Sequence, residues 1–310
     1  MQRALTTIVL LGLLLASAAA FAITEHLKLI KSPIYGPQVT KTFSPVCNCA
    51  TGKAEISFKL RHPDSITVSI VDSGRNVIVT LPGTVDSPAK KLLTFTWNGR
   101  TSGGQVAPDG TYQPQVKLAG ARRTILMPNK IAIDTVAPTV VSASVGGGGI
   151  LIKGARGIPI RYVLGEKAHA SVFIRGRRVL LGRRSSPTGK VQWNGKAGGK
   201  PLPVGRYVLG VAAVDLSGNE TPPAQRKPVV VRIRYIALAG TPAHVRRGAS
   251  FSVKVRTGAP RYTWKFAGTH GTGKQKLLHL RAPAHRGRYR LVVSAQGHST
   301  AAIVIVGREE

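Results

Sequence analysis

The chain has 310 residues, with 45 Lys and Arg against 12 Asp and Glu, for a formal net charge of +33. Residues 1–136 hold 15 basic and 7 acidic residues, 137–232 hold 16 and 3, and 233–310 hold 14 and 2, so the excess runs through the body of the chain. Thirty-five Gly and 20 Pro argue against long helices. After residue 136 only Glu166, Asp215, Glu220, Glu309 and Glu310 are acidic, too few and too scattered for the carboxylate pair of a glycosidase.

Met1-Gln2-Arg3 forms a short positive end, and no charge follows between Ala4 and Thr24. Ile8 to Leu15 is densely aliphatic, and Ala16 to Ala22 is rich in small residues and ends in Ala20-Phe21-Ala22. That is the layout of an export signal with cleavage after Ala22. Left uncut, residues 4–24 have about the length needed to cross a bilayer. Residues 1–24 therefore read as a signal peptide or a membrane anchor. The remainder is expected outside the cytoplasm, either secreted or tethered to the cytoplasmic membrane.

Residues 25–49 read as a linker and entry to the first folded unit. They contain the only cysteines, Cys47 and Cys49. In an oxidising compartment these read as a local structural disulfide, with pairing between chains as the alternative. A C-x-C pair alone is an incomplete zinc site.

From residue 50 the pattern has a period of two. Ala54, Ile56, Phe58 and Leu60 alternate with polar residues, followed by Ile66, Val68 and Ile70, then Val77, Val79 and Leu81, then Leu93, Phe95 and Trp97, then Tyr112, Val116 and Leu118. Each run has one apolar and one polar face, as a half-buried strand should. Asp72-Ser73-Gly74-Arg75-Asn76 supplies turn chemistry between two of the runs.

A second unit repeats the plan. Trp97-Asn98-Gly99 returns as Trp193-Asn194-Gly195, and Pro108-Asp109-Gly110-Thr111-Tyr112 as Pro203-Val204-Gly205-Arg206-Tyr207. Ala170, Val172 and Ile174 lead through Arg175-Gly176-Arg177-Arg178 to Val179 and Leu181, and Gly176 to Val179 aligns with Gly74 to Val77. Repetition at this length marks a duplicated folding unit. The third unit lacks Trp-Asn-Gly but alternates through Phe251, Val253 and Val255, Tyr262, Trp264 and Phe266, Leu278 and Leu280, and Tyr289, Leu291 and Val293. Its Gly287-Arg288-Tyr289 echoes Gly205-Arg206-Tyr207. The expected architecture is all-β: three tandem Ig-like sandwiches over 50–136, 137–232 and 233–310, behind the N-terminal segment.

These residues resemble a known family. An aromatic-x-Trp-Asn-Gly-Arg segment, then Pro-Asp-Gly-Thr-Tyr, then a strand ending in Asp-x-Ser-Gly-Asn, is similar to the Ig-like domain of the flagellar hook-capping protein, a domain that recurs in exported bacterial proteins. The resemblance covers residues 50–225 and carries fold rather than function. It implies structural core roles for Trp97, Tyr112, Trp193 and Tyr207. Trp264 and Tyr289 take the corresponding inward positions in the diverged third unit. The export-type start and the domain repeat depart from the hook-capping protein itself.

Candidate chemistry is sparse. The histidines, at 26, 62, 169, 244, 270, 279, 285 and 298, show no metal-binding spacing. Gly268 to Lys274 nearly spells a phosphate loop, but Gln275 stands where Ser or Thr should be and a strand follows where a helix is needed. Asp215 to Asn219 fails the EF-hand template at Glu220 and Arg226 and reads as an Asx-type turn. No cofactor is expected, and the chain reads as no enzyme.

The functional lead is basic. Arg175, Arg177, Arg178, Arg183 and Arg184 gather around one hairpin, while Lys254, Arg256, Arg281, Arg288 and Arg290 occupy polar strand positions of the third unit. Whether these make one patch is open, because outward faces belong to two opposite sheets. A solvated surface is the plain alternative to a polyanion-binding one. The expected role is a spacer or binding module of the bacterial cell envelope. Its partners would be an anionic wall polymer, an acidic glycan or lipid head groups, with arginine forks suited to carboxylate and phosphate. Extracellular DNA binding and an accessory place in a secreted enzyme system are the alternatives. DNA is less favoured because the aromatics fall at inward positions, away from any stacking platform.

Overall fold

The computed structural model describes residues 10–21, 32–47 and 49–307. Residues 10–21 are helical. Among the described residues, no helix is long and apolar enough to cross a membrane. The positive end at residues 1–3 and the cleavage point after Ala22 lie outside the described residues. The other described elements are strands and two three-residue 3-10 helices, Gly147–Gly149 and Pro223–Gln225, and the chain divides into two compact units, Met1–Thr135 and Val136–Glu310.

The first unit holds one sandwich. Its strands are β1 (Ile34–Val39), β2 (Thr42–Phe43), β3 (Ala54–Leu60), β4 (Asp64–Val71), β5 (Val77–Thr80), β6 (Val85–Ser87), β7 (Leu92–Trp97), β8 (Gly110–Leu118), β9 (Arg123–Leu126) and β10 (Ile131–Ile133). One sheet has the order β1-β3-β7. The other runs β2-β10-β8-β4-β5, with β6 beside β4 and β9 beside β8. Residues 34–43, within the stretch read from sequence as linker and entry to the first unit, supply two strands. Phe43 in β2 is fully buried against Trp97, and β2 pairs in parallel with β10. This segment is too short and too irregular for its alternation to show in sequence.

The second unit holds two sandwiches in succession. The first uses β11 (Val140–Val145), β12 (Ile150–Ile152), β13 (Ile158–Leu164), β14 (His169–Ile174), β15 (Arg177–Ser185), β16 (Thr188–Trp193), the small hairpin β17 (Lys196–Ala197) and β18 (Lys200–Pro201), β19 (Gly205–Val214) and β20 (Lys227–Arg234). The next uses β21 (Ile236–Ala239), β22 (His244–Arg246), β23 (Ser250–Thr257), β24 (Tyr262–Phe266), β25 (Thr269–Gly273), β26 (Leu277–Arg281), β27 (Gly287–Ala295) and β28 (His298–Gly307). The sheet orders are β11-β13-β16 with β12-β20-β19-β14-β15, and β21-β23-β26 with β22-β28-β27-β24-β25. In each sandwich a short early strand pairs in parallel with the last one. The third sandwich therefore repeats the strand order of the second, although its sequence has lost Trp-Asn-Gly. The last strand of the second sandwich runs on to Arg234, so Tyr235 is the junction residue.

Alternation explains the cores. In β3 the even positions Ile56, Phe58 and Leu60 are fully buried, while Glu55 is exposed. Burying each such side chain contributes about 1.5–3 kcal/mol. Three separate hydrophobic clusters result, one per sandwich. The Gly268 to Lys274 stretch forms the β24–β25 turn and β25 itself, not a phosphate loop.

One device recurs at the corners. Trp97 Nε1 donates to the Arg100 carbonyl at 2.9 Å and Trp193 Nε1 to the Lys196 carbonyl at 3.0 Å. Asn98 Oδ1 accepts from the Arg100 amide and Asn194 Oδ1 from the Lys196 amide. Gly99 and Gly195 sit at φ 74° and 77°, a region that only glycine enters readily. The tyrosine hydroxyls close a second corner: Tyr112 to the Pro108 carbonyl (2.6 Å), Tyr207 to Pro203 (2.8 Å) and Tyr289 to His285 (3.0 Å). This is the tyrosine corner of Ig-like sandwiches.

Candidate functional site

Trp97, Tyr112 and Trp193 are buried, as core roles require. Tyr207, Trp264 and Tyr289 are only half-buried and pack against the margins of their clusters. Cys47 and Cys49 form a disulfide with each other, beside the hydroxyl of Thr51. Among the described residues no group of three or more His, Cys, Asp or Glu is placed to hold a metal ion. Asp215 closes its turn by accepting from the Asn219 amide (2.8 Å) and side chain (2.7 Å). Asp72 and Asn76 make the same pair of bonds at 2.8 and 3.0 Å, which hold the Asp72 carboxyl below the usual carboxylate range.

The structure divides the ten basic residues. Arg175 and Gly176 form the two-residue β14–β15 turn, both at positive φ, so this loop differs from the five-residue Asp72–Asn76 loop with which its sequence aligns. Arg177 and Arg178 start β15 and Arg183 and Arg184 lie near its end, on the order of 15–20 Å apart at strand rise. The hairpin cluster read from sequence is thus two groups at opposite ends of an edge strand. Arg178 is engaged: its guanidinium faces Glu220 at 3.5 Å, and Arg226 faces the same carboxylate at 3.7 Å. Arg226 also lies over the Phe173 ring at 3.5 Å, covering an apolar side chain on the outer face of the sheet.

In the third sandwich, Lys254, Arg256 and Arg281 share the outer face of the β21-β23-β26 sheet. Arg288 and Arg290 lie outward on β27, in the opposite sheet. The five residues therefore lie on two faces and do not form one patch. Arg256 is half-buried and engaged. Its Nη1 and Nη2 donate to the carbonyls of Gly147 (3.1 Å) and Ile150 (2.9 Å), in the glycine loop of the preceding sandwich, where Gly147, Gly148 and Gly149 all have positive φ. Arg256 is a structural clip rather than an open anion ligand. Arg281 Nε donates to the Gly248 carbonyl at 3.0 Å.

Strand register places further cations that position along the chain does not reveal. Arg161 and Lys190 are direct cross-strand partners on one outer face of the second sandwich. Arg206 and Arg232 are partners on the other. All four are exposed, and like charges directly opposite one another are destabilising. Alternation marks each as outward-facing, but the pairing needs the sheet. A groove of about 650 Å³ opens between β15 and β16, with Tyr162, Leu180, Leu181, Arg183, Arg184 and Lys190 among its walls. A hollow of about 500 Å³ in the third sandwich is lined by Arg247, His285 and Arg286.

The strand order and tyrosine corners define a tandem Ig-like β-sandwich protein. Residues 44–121 match the FlgD Ig-like domain, so the first sandwich is similar to that family; the second copy lies beyond the matched span. No curated protein sequence matches. Among solved structures, the chain is similar to a 1.5-MDa bacterial ice-binding adhesin studied for host cell surface retention (13% identity, 90% of this chain and 100% of that one, TM-score 0.28). It is also similar to SGBP-B of the Bacteroides ovatus mixed-linkage glucan utilization locus, in complex with a mixed-linkage heptasaccharide (13%, 90% and 70%, TM-score 0.33). The FN1–FN3 domains of chicken CNTN1 are a third (11%, 89% and 99%, TM-score 0.24).

Proposed function

We propose that this chain is an exported, non-catalytic module protein of the bacterial cell envelope. Its three sandwiches, β1–β10, β11–β20 and β21–β28, act as a spacer that adsorbs to anionic wall polymers, acidic glycans or lipid head groups. Residues 1–24 deliver the chain, and anchor it if they are not removed.

One observation carries the reading. Residues 137–310 hold 30 Lys and Arg against five acidic residues, and the three described acids there are already engaged. Asp215 serves its turn, Glu220 faces Arg178 and Arg226, and Glu166 has a partner of its own. Repulsive pairs such as Arg161–Lys190 and Arg206–Arg232 are thus left for an outside anion to neutralise. A polyanion does this while releasing its own counterions.

The test is a salt titration of the purified chain against an acidic glycan and duplex DNA of equal charge density. Affinity should fall by about 10²-fold or more between roughly 50 and 200 mM salt. Absence of binding at low salt, or binding indifferent to salt, defeats the reading. Preference for the DNA would move it to extracellular nucleic-acid capture. Cell fractionation with N-terminal sequencing tests delivery: the mature chain should start after Ala22, or stay whole in the membrane fraction.

A further inference from the structure

Resting on that polyanion reading, we infer that the groove between β15 and β16 of the second sandwich is a binding site for an acidic saccharide, holding a sugar ring and its carboxylate. Four features converge there.

The first is shape. β15 and β16 are the edge strands of the two facing sheets, and the sandwich stays open between them. Gly182 and Gly189 keep it so. A Cβ on Gly189 would stand 2.7 Å from the Tyr162 hydroxyl, and one on Gly182 would stand 3.1 Å from Val191 Cγ1. Neither glycine is at positive φ, so backbone conformation does not demand them; close approach does.

The second is the wall. Leu180, Leu181 and Val191 line it, and Leu181 is 46% exposed. An aliphatic wall suits the C–H face of a pyranose. A phosphodiester backbone, hydrated on all sides, gains nothing from it.

The third is charge. Arg183, Arg184 and Lys190 lie along the groove with no acid among its lining residues. A carboxylate there meets arginine forks able to donate two parallel hydrogen bonds.

The fourth is a polar atom at the groove. The Tyr162 ring is buried, and its hydroxyl reaches the groove under Gly189. There it can hydrogen-bond a ligand hydroxyl or ring oxygen in place of water. An extended peptide added to β15 is the competing occupant of an edge. Two irregularities in the β14–β15 register work against it.

The experiment uses the full chain and a galacturonate hexamer, with its carboxyl-reduced counterpart, a glycerol-phosphate oligomer and duplex DNA as controls. The carboxylated hexamer should bind at least about tenfold tighter than the reduced one. Tyr162→Phe should weaken it by about three- to tenfold, the worth of one hydrogen bond, without moving the unfolding temperature much or altering DNA binding. The double variant Arg183→Ala/Arg184→Ala should weaken it by more than tenfold, and the control pair Arg288→Ala/Arg290→Ala by less than threefold. If the hexamer binds but both pairs act alike and Tyr162→Phe changes nothing, the groove assignment is wrong while the polyanion reading stands. If nothing binds at low salt, both fall. Equal binding of the glycerol-phosphate oligomer, with the same response to Tyr162→Phe, overturns the saccharide assignment.

Discussion

The first and second sandwiches close the same corner with different packing. Around Trp97 the first sandwich stacks rings edge-on: Phe43 at 5.5 Å and Tyr112 at 5.1 Å between centroids. Around Trp193, among the described residues, the second has Tyr207 alone, at 6.5 Å and half-exposed. Where Phe43 and Pro45 crowd Gly99, the second sandwich places Leu151 beside Gly195. Yet the indole-to-carbonyl, Asn-to-amide and tyrosine-to-proline bonds match within about 0.2 Å. The corner is therefore defined by its backbone hydrogen bonds and its glycine. The aromatic filling is free to vary, and stability should vary with it.

The comparison can be broken most severely at the tryptophans. Trp97→Ala should cost about 3–5 kcal/mol and Trp193→Ala toward the lower end of that range, because fewer rings lose contact. Denaturant unfolding would show it. Equal losses would mean that the ring cluster adds nothing beyond area. The glycines come next. Gly99→Ala forces a side chain into positive φ and to within 2.7 Å of Pro45 Cβ, whereas Gly195→Ala meets the flexible end of Leu151 at 2.9 Å. Both should cost at least about 1–2 kcal/mol, and Gly99 the more, as read by thermal unfolding.

Smaller effects sharpen the contrast. Tyr112→Phe should cost about 1 kcal/mol, and Tyr207→Phe and Tyr289→Phe less, since their hydroxyl bonds are exposed. Burial pushes the Tyr112 phenol above its ordinary 10. A group whose folded pKa is raised loses its stabilising contribution as pH rises past that value, so Tyr112→Phe should also flatten the alkaline limb of the first unit's stability curve.

The smallest expected effect lies at acid pH. Burial draws the Asp64 carboxyl upward, but amide donors from Gly120 and Ala121 outweigh it and hold the pKa below 3.8. The Asn76 bonds do the same for Asp72. Depressed carboxylates stabilise above their unfolded pKa and stop doing so as pH falls through the folded one, so the first unit should weaken below about pH 4. Asp64→Asn should flatten that acid limb in a pH-dependent melt; an unchanged limb would show that the carboxylate does not contribute.

Much of this architecture was legible along the chain, and particular residues show why. Ile56, Phe58 and Leu60 alternate within one strand, and the Trp-Asn-Gly and Pro-x-Gly-x-Tyr corners close within five residues, so neighbours in sequence carry the signal. β1 and β2 were not legible, because two short strands broken by a register shift leave no period to read. The third sandwich shows the other side. Its Trp-Asn-Gly is gone, but the tyrosine corner at His285–Tyr289 and the same strand order persist.

Alternation, turn chemistry and the charge imbalance belong to the chain read as a line, because each depends on residues a few positions apart. They establish an all-β, repeated and strongly basic protein. Which cations face each other, which are consumed and where a groove stays open depend on strands meeting across the sheets. Arg256 is lost to Gly147 and Ile150, more than a hundred positions away; Arg161 meets Lys190 by register; Gly189 makes room for the Tyr162 hydroxyl. Electrostatic and steric contacts act through space, so only the folded chain decides which of these cations face one another and which are spent on carbonyls.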